Sequence, residues 1–324
     1  MEKGETLGKN PQIVRESDVA VIICTYNPIW EKLEQTLNSC IIQCGLKVQI
    51  IITDDGSNNN YFDKITEYLE EKRFTNYTLV PASQNQGTVK NFLKGAQKCV
   101  AKYIKPISPG DYLYNETVLL DWITYLEKCG KKWSFGEAIY YRQDDNGNHY
   151  NVTQMAHPQN IKIYLSGNWP VCRWNYAVLA DIALGAAVIS TKEICIEYLE
   201  RIEDKVKYAE DNIWRMMMFD GVVGTYYPQR VIFYEWGEGI STSNNALWKK
   251  QLSNDWDNAD QIMLSNVKSS DVFKEKMIKA FKAKKIKNNA IKFLVMPNKW
   301  KLLKHKFSKR FVPRKTESLE SDRW

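Results

Sequence analysis

The chain has 324 residues and a mass of 37.8 kDa, with 44% apolar and 26% charged residues. It is too long for one minimal core, and its composition excludes a disordered, collagen-like or low-complexity protein. Seven cysteines without a paired C-x-x-C spacing and only three histidines argue against a disulfide framework and a zinc site, and favour a reducing cytoplasm. No apolar run is long enough to predict a membrane-spanning helix, and the polar residues 1–17 lack the pattern of a secretory signal.

The net charge of +7 is concentrated near the end of the sequence. Residues 276–315 contain 15 lysines and arginines and no aspartate or glutamate, so the part of the chain before them carries more acids than bases. A strongly basic segment favours phosphate-bearing partners, either a membrane surface or a nucleic acid.

Short apolar runs alternate with longer amphipathic segments along the first half of the chain. The runs predict strands at 19–24, 48–53, 77–80 and 103–107, and the segments predict helices at 30–43, 62–72, 89–101 and 116–128. This alternation predicts a parallel, doubly wound α/β sheet. Such sheets bind ligands outside the carboxyl ends of their strands.

Each predicted strand is followed by a polar, turn-forming segment. These segments are Thr25-Tyr26-Asn27-Pro28, Asp54-Asp55-Gly56-Ser57, Asn85-Gln86-Gly87 and Ser108-Pro109-Gly110-Asp111. Turn formation and helix capping would explain any one of them, but four at one edge, followed later by an acidic pair, indicate a binding site. The phosphate-binding patterns of P-loop and dinucleotide-binding folds are absent, as is the nucleophile motif of α/β-hydrolases.

Five segments together resemble the bacterial family 2 glycosyltransferases, inverting enzymes with the GT-A fold. They are VAVIICTYN at 19–27, IIITDDGS at 50–57, NQGTVKN at 85–91, YIKPISPGDYL at 103–113 and AEDNIW at 209–214. The resemblance implies an α/β, Rossmann-like, mostly parallel sheet flanked by helices, with a basic helical extension at its C-terminal side. It divides the chain into an N-terminal extension (1–17), a GT-A catalytic domain (18–244) and a C-terminal helical region with a basic amphipathic tail (245–324). The nucleotide-sugar half of the catalytic domain would span about 18–112 and the acceptor half about 113–244.

The resemblance also implies a UDP-sugar donor held by the first three turns. Asp55 would accept the imide N–H of uracil, a charge-assisted hydrogen bond that excludes cytosine because cytosine lacks this donor. The remaining residues expected to bind the nucleotide sugar are Thr25, Tyr26 and Asn27 beside the base and ribose, Gly87 at a close backbone approach, Lys90 near the phosphates, and Asp54. Asp54 has an alternative role as the cap of its own turn.

The fourth turn is where the family carries the D-x-D element that binds Mg²⁺ or Mn²⁺ under the diphosphate. In this chain Ser108 and Gly110 stand at the usual acidic positions, and only Asp111 remains. One carboxylate with phosphate oxygens and water can still hold such an ion, so Asp111 is the expected metal ligand. The alternative is that Asp111 caps the helix that follows. The family's later histidine is missing from 234–242.

The acidic pair Glu210-Asp211 precedes an apolar helical segment at 213–219. Acids at a helix start are often caps, stabilised by the helix dipole. The resemblance instead implies that Asp211 is the general base of an inverting transfer, with Glu210 supporting it, because the acceptor hydroxyl needs one carboxylate to take its proton. On the acceptor side, Trp169 and Trp174 are candidates for stacking on sugars, and Gly185 for a close approach of the acceptor to the backbone.

The basic tail is predicted to be helical at 271–285 and again beyond Pro297. Leu303, Phe307 and Phe311 form an apolar stripe among lysines, as in helices that lie on a membrane surface. We therefore expect residues 284–315 to contact anionic lipid at the inner face of the plasma membrane. The alternatives are a solvated helix packed on the body of the protein and a nucleic-acid contact. No nucleic-acid-binding motif accompanies the tail, so no nucleic-acid partner is expected.

These observations predict a cytoplasmic, membrane-associated inverting glycosyltransferase. It would use a UDP-sugar to extend a lipid-linked or growing surface glycan, such as a capsule. Two alternatives remain open, a transferase acting on a surface glycoprotein and a nucleotide-sugar-binding protein with impaired catalysis.

Overall fold

The computed structural model describes residues 17–143, 149–152, 158, 160–237, 245–265 and 272–284, together with residues 286, 291 and 295. Its strands are β1 Val19–Thr25, β2 Val48–Asp54, β3 Tyr77–Val80, β4 Tyr103–Ile107, β5 Tyr112–Leu113, β6 Trp133–Gln143, β7 His149–Asn151, β8 Val188–Thr191 and β9 Thr225–Glu235. Its α-helices are α1 Trp30–Ile41, α2 Phe62–Glu71, α3 Thr88–Gln97, α4 Val118–Lys128, α5 Ile161–Leu165, α6 Trp169–Arg173, α7 Lys192–Glu200, α8 Asn212–Asp220, α9 Ala246–Ser265 and α10 Val272–Lys284. A π-helical turn, Trp174–Val178, and a 3-10 turn, Gly185–Ala187, lie between α6 and β8.

The strands form one sheet in the order β3-β2-β1-β4-β8-β6-β9-β5, with β7 paired to β6. Strands β3, β2, β1 and β4 are mutually parallel, β8 runs antiparallel to β4 and β6, and β9 is parallel to β6. The predicted α/β sheet, mostly parallel and flanked by helices, is therefore confirmed. Because β1, β2, β4, β6 and β9 point the same way, their carboxyl ends share one edge.

The continuous apolar runs of β1 and β2 are buried on both faces, as expected for inner strands of a parallel sheet. Side chains alternate between two cores. Val19, Val21 and Ile23 pack with residues of α1, α2 and α4, whereas Ala20 and Ile22 pack with residues of α3, α7 and α8. This two-sided packing fixes the register of β1 and so fixes the position of the turn that follows it.

Helix α3 is shorter than the predicted segment 89–101, because it ends at Gln97. The chain then turns so that Cys99 is buried while Val100 is 47% exposed. The apolar spacing at the end of this segment belongs to the turn that leads into β4 and not to the helix face.

The C-terminal helices α9 and α10 pack on α8 and do not form a separate body. The buried Arg215 of α8 pairs with Asp260 of α9 at 2.6 Å, and Asp220 at the end of α8 pairs with Lys274 of α10 at 2.8 Å. Phe219 and Phe281 add an edge-to-face contact. The predicted helix at 271–285 corresponds to α10, while most of the basic tail and the predicted boundary near residue 244 lie outside the described residues. Within the described part of the chain, no helix is both long and apolar enough to cross a bilayer.

Candidate active site

The first two turns are bound to each other at the carboxyl edge of β1 and β2. The Thr25 hydroxyl donates to Asp54 Oδ1 at 3.1 Å, and the Asn27 backbone N–H donates to Ser57 Oγ at 2.6 Å. Asn27 Oδ1 in turn accepts the N–H of Asn58 at 3.0 Å. Asn27 adopts a φ of 46°, in the left-handed region that asparagine tolerates better than most residues. The predicted nucleotide-binding turns are therefore rigid, and Tyr26 projects from them with 53% of its surface exposed.

Asp54 and Asp55 have different surroundings although they are adjacent. Asp54 Oδ2 accepts the backbone N–H groups of Gly56 at 3.0 Å and Ser57 at 2.8 Å, so this carboxylate does cap its own turn. Asp55 reaches across to the third turn, where its two oxygens accept the N–H groups of Gln86 and Gly87, both at 2.8 Å. A carboxylate offers about four acceptor positions, so Asp55 binds the third turn with two of them and retains acceptor capacity.

The third turn also lies against the segment that leads to the acidic pair. Gly87 has a φ of 95°, and a Cβ there would lie 2.5 Å from the Lys207 carbonyl oxygen. The N–H of Val89 donates to that same carbonyl at 3.1 Å. Lys90 extends to within 3.8 Å of Asp204. The group that lies close to Gly87 in the structure is Lys207, and the close approach of a donor to Gly87 stays a prediction.

Glu210 and Asp211 stand at the start of α8. Asp211 occupies the N-cap position, but its side chain makes no capping hydrogen bond, and its Oδ1 is buried with no hydrogen-bond partner. The capping alternative therefore does not account for Asp211. Burial raises the pKa of Asp211 to about 7, and burial together with the charge of Asp211 raises the pKa of Glu210 well above its usual range. A carboxylate whose pKa lies near neutral pH is suited to act as a general base.

Gly185 lies directly against Asp211. A Cβ at Gly185 would lie 2.3 Å from Asp211 Oδ1 and 3.6 Å from Glu210 Oε1. The buried Lys105 of β4 fixes this turn from behind, because its Nζ donates to the carbonyl of Ala186 at 2.5 Å. Gly185 is thus brought next to the acidic pair, as a residue on the acceptor side would be.

The acidic pair and the nucleotide turns meet at the end of β1. The buried thiol of Cys24 has its pKa raised to about 12, first by desolvation and further by the charges of both Glu210 and Asp55. In addition, the Tyr208 hydroxyl donates to Asn85 Oδ1 at 3.4 Å. The predicted donor side and the predicted base therefore belong to one site.

The predicted metal ligand Asp111 is poorly suited to hold an ion in this structure. It is 4% exposed, its Oδ1 accepts the N–H of Glu235 at 3.1 Å, and burial raises its pKa to about 7. Strand β5 follows Asp111 directly, so the alternative that it caps the next helix is wrong. Among the described residues no group of three His, Cys, Asp or Glu side chains is arranged to bind a metal. The residues described here do not fit a divalent ion.

Trp169 and Trp174 lie far from Asp211. Arg173, between them, donates to the carbonyls of Met218 and Phe219 at the far end of α8, and at 1.5 Å per residue that end is roughly 12 Å from Asp211. Trp169 packs under Lys131, just before β6, with the Nζ 5.0 Å from its ring, and Trp174 is 2% exposed in the core. The structure does not bring either tryptophan to the carboxyl edge.

Three residues of the site were not predicted from the sequence. They are Lys105, Glu235 and Asp255, and each is a charged residue at a buried position of a strand or helix. Lys105 interrupts the apolar run of β4, and Asp255 falls on the apolar stripe that Leu252, Ala259 and Ile262 define in α9. A charge on an apolar stripe is the signal that could have identified them.

Known proteins resemble this chain in sequence pattern and in fold. The model of the family described as Glycosyl transferase family 2 matches residues 20–179. The structure of S. aureus TarS 1–349 in complex with UDP-GlcNAc is 14% identical, with a TM-score of 0.57 over 86% of this chain and 82% of that one. The mannosyltransferase PcManGT from Pyrobaculum calidifontis in complex with GDP-Man and Mn²⁺ is 14% identical, with a TM-score of 0.58 over 95% and 80% of the two chains. The chain matches no curated protein sequence.

Gly185→Ala tests the contact with the acidic pair. The added methyl group would displace the Asp211 carboxylate, and because a shift of about 1 Å can cost about 10²-fold in rate, we expect a loss of that order in turnover with little change in the thermal midpoint. Gly130→Ala is the control for turnover, since a Cβ there meets nothing within 4 Å; because the φ of Gly130 is 59°, this change should lower the thermal midpoint and leave turnover unchanged. Turnover and circular dichroism melting measure the two effects, and a Gly185→Ala enzyme with normal turnover would contradict the assignment.

Proposed function

We propose that this chain is a nucleotide-sugar-dependent glycosyltransferase that transfers a sugar from a UDP-sugar to a glycan hydroxyl with inversion. The match of residues 20–179 to the family described as Glycosyl transferase family 2 and the GT-A-like fold support this proposal. The observation that carries the proposal is the half-buried, uncapped carboxylate of Asp211 beside the nucleotide turns, with its Oδ1 buried and without a hydrogen-bond partner. Both related structures are complexes with nucleotide sugars, UDP-GlcNAc in TarS and GDP-Man in PcManGT.

In the proposed reaction Asp211 takes the proton of the acceptor hydroxyl as the hydroxyl oxygen attacks the anomeric carbon of the donor. The new glycosidic C–O bond forms on one face of the sugar while the bond from the anomeric carbon to the diphosphate oxygen breaks on the other. The electron pair of that bond leaves with UDP, so the configuration inverts and no covalent enzyme intermediate forms. Glu210 supports the base by its position beside Asp211.

We assign the uracil to the region of Asp55 and Tyr26. Asp55 sits where the first three turns converge, and the acceptor capacity left after its two backbone bonds suits the imide N–H of uracil. The exposed ring of Tyr26 offers a face beside the base. The ribose would then lie near Asn27 and the phosphates toward Lys90. Thr25 and Asp54 contribute by holding the first two turns together.

The acceptor is proposed to be a lipid-linked or growing surface glycan. The supporting observation is the basic segment 284–315. It belongs to the stretch 276–315, whose 15 lysines and arginines favour an anionic surface. Helix α10, through Lys274 and Phe281, anchors the start of this segment to α8. A membrane surface would thereby lie within reach of the catalytic domain. A glycan on a surface protein is the alternative acceptor.

A donor screen tests the nucleotide assignment. The full chain is incubated with UDP-, GDP- and CMP-linked sugars, and release of the free nucleotide is followed. We expect release from one UDP-sugar only, and calorimetry should show UDP binding at least tenfold tighter than CDP, because cytosine presents no N–H at the position Asp55 would bind. UDP and CDP binding equally would contradict the role of Asp55.

The same donor screen tests whether the reaction needs a divalent metal ion. Reactions run with EDTA, Mg²⁺ or Mn²⁺ show whether nucleotide release depends on such an ion. Release that persists in EDTA would overturn Asp111 as a metal ligand, while release that EDTA abolishes and Mn²⁺ restores would support it. If EDTA acts by removing an ion that Asp111 holds, Asp111→Asn should reproduce its effect; if EDTA acts in another way, the variant should release nucleotide normally.

Asp211→Asn tests the general base. Loss of the base should lower turnover by about 10²- to 10⁴-fold, with UDP affinity unchanged because Asp211 is proposed to act on the acceptor hydroxyl and not on the nucleotide. In the wild-type enzyme Asp211 must be deprotonated to act as the base, so turnover should rise with pH through an apparent pKa near 7 and fall away below it. Transfer that survives in Asp211→Asn would refute the assignment, and UDP binding without transfer in the wild-type enzyme would favour the impaired-catalysis alternative.

Vesicle sedimentation tests the membrane contact. The full chain should bind vesicles that contain anionic lipid and lose binding in high salt. Reversing two tail charges, Lys304→Glu with Lys306→Glu, should weaken binding by at least tenfold, since each basic residue near the surface contributes about 1 kcal/mol. Lys47→Glu with Lys98→Glu, which are exposed on the body, is the matched control. Equal loss in both variants, or binding to nucleic acid alone, would contradict a specific role for the tail.

A further inference from the structure

Helix α9 carries a buried acid beside the active site although it lies beyond the residues that the family model matches. Asp255 is 1% exposed and faces inward with the apolar side of the helix. Burying a carboxylate costs several kcal/mol unless it is well hydrogen-bonded. Its contacts therefore indicate what it does.

The Asp255 carboxylate is bound to the backbone just before the acidic pair. Its Oδ2 accepts the N–H of Tyr208 at 2.6 Å and the N–H of Ala209 at 3.2 Å. Its Oδ1 accepts the side-chain amide of Gln251, one turn earlier in α9, at 3.1 Å. Asp255 thus spans from α9 to two consecutive peptide groups of the neighbouring segment.

These two peptide groups directly precede the first turn of α8. The carbonyl of Ala209 accepts the N–H of Asn212 at 3.2 Å, and the carbonyl of Glu210 accepts the N–H of Ile213 at 3.0 Å. The first turn of α8 therefore begins at Ala209, the residue whose N–H Asp255 holds. Since Glu210 and Asp211 lie within this turn, a rotation at Ala209 would move both carboxylates.

A second contact from α9 fixes the same helix further along. Asp260 pairs with the buried Arg215 at 2.6 Å, and the Arg215 guanidinium also donates to the carbonyl of Ala177 at 2.8 Å. Arg215 further donates to Asn212 at 3.2 Å. With Asp260 holding the middle of α8, the contact at Asp255 determines how its first turn is oriented.

We propose that Asp255 is a positioning residue for the Glu210–Asp211 pair, so that α9 is part of the catalytic apparatus. This inference rests on the proposed role of Asp211 as the base. It adds a residue that acts through backbone hydrogen bonds and does not touch the substrate.

The charge of Asp255 has a second effect on the pair. Burial and then Asp211 raise the pKa of Glu210, and the negative charge of Asp255 raises it further. The other titratable group facing Glu210 is Cys24 of β1, which stays neutral because its own pKa is raised to about 12. Removing the charge at Asp255 while keeping an acceptor oxygen should therefore lower the apparent pKa of the pair.

Two substitutions separate the geometric effect from the electrostatic one. Asp255→Ala removes both hydrogen bonds, and we expect turnover to fall by at least tenfold while the KM for donor and the affinity for UDP change less than threefold. Asp255→Asn keeps one oxygen for the two N–H groups, so it should retain most turnover and shift the acidic limb of the pH–rate profile to lower pH. Asp257→Asn, exposed on the same helix, is the charge-matched control and should change neither.

The outcomes distinguish this proposal from the role of Asp211. Normal turnover in Asp255→Ala, or an unshifted acidic limb in Asp255→Asn, overturns the proposal. Where Asp255→Ala does not fold, the pH profile of Asp255→Asn decides alone. Transfer that survives in Asp211→Asn instead overturns the base assignment, which the Asp255 variants do not measure.

Discussion

The structure around the proposed active site depends on holding two adjacent, half-buried carboxylates at the start of α8, with the Oδ1 atom of Asp211 buried. Burial without hydrogen bonds is unfavourable for a charged group, and Asp211 Oδ1 has no partner. A residue serving only as a helix cap would have placed its oxygen on the free N–H groups of the first turn. The neighbouring parts accommodate the pair in other ways: Gly185 leaves room for it, Lys105 holds the Gly185 turn, and Asp255 holds the backbone before it. The cost in stability is consistent with a catalytic requirement.

Four aspartates of this site have different roles because their hydrogen-bond partners differ. Asp54 and Asp255 accept backbone N–H groups and serve the structure of a turn and of a helix start. Asp55 does the same between two turns and retains capacity for a ligand. The Oδ1 atom of Asp211 has no hydrogen-bond partner, and the pKa of Asp211 is raised because desolvation outweighs the lowering effect of a backbone hydrogen bond from Gly185. The residue type alone does not set the role, which depends on how many donors the fold brings to each carboxylate.

Much of the architecture could be predicted because it is encoded locally. The apolar runs of β1 and β2 and the spacing within α1 and α2 predict the sheet and its carboxyl edge, and the five motifs place Asp55 and Asp211 near that edge. Partners distant in sequence could not be predicted. That Asp55 binds Gln86 and Gly87, and that Asp255 binds a segment 46 residues before it, depends on how loops meet in space. Trp169 and Trp174 show the same limit, because composition does not reveal that the chain between Arg173 and Gly185 runs back along α8.

The missing acids of the fourth turn have a structural counterpart at the end of β9. Gly110 has a φ of 96°, and a Cβ there would lie 2.4 Å from a Glu235 oxygen, so the Glu235 carboxylate fills the space that a side chain at 110 would need. Lys32 of α1 neutralises Glu235 at 2.5 Å. An aspartate at 110 would bring a second negative charge onto this pair and force a backbone conformation that favours glycine. The glycine at 110 and the Lys32–Glu235 pair therefore form one arrangement, and restoring the acid at 110 alone would disrupt it without creating a metal site.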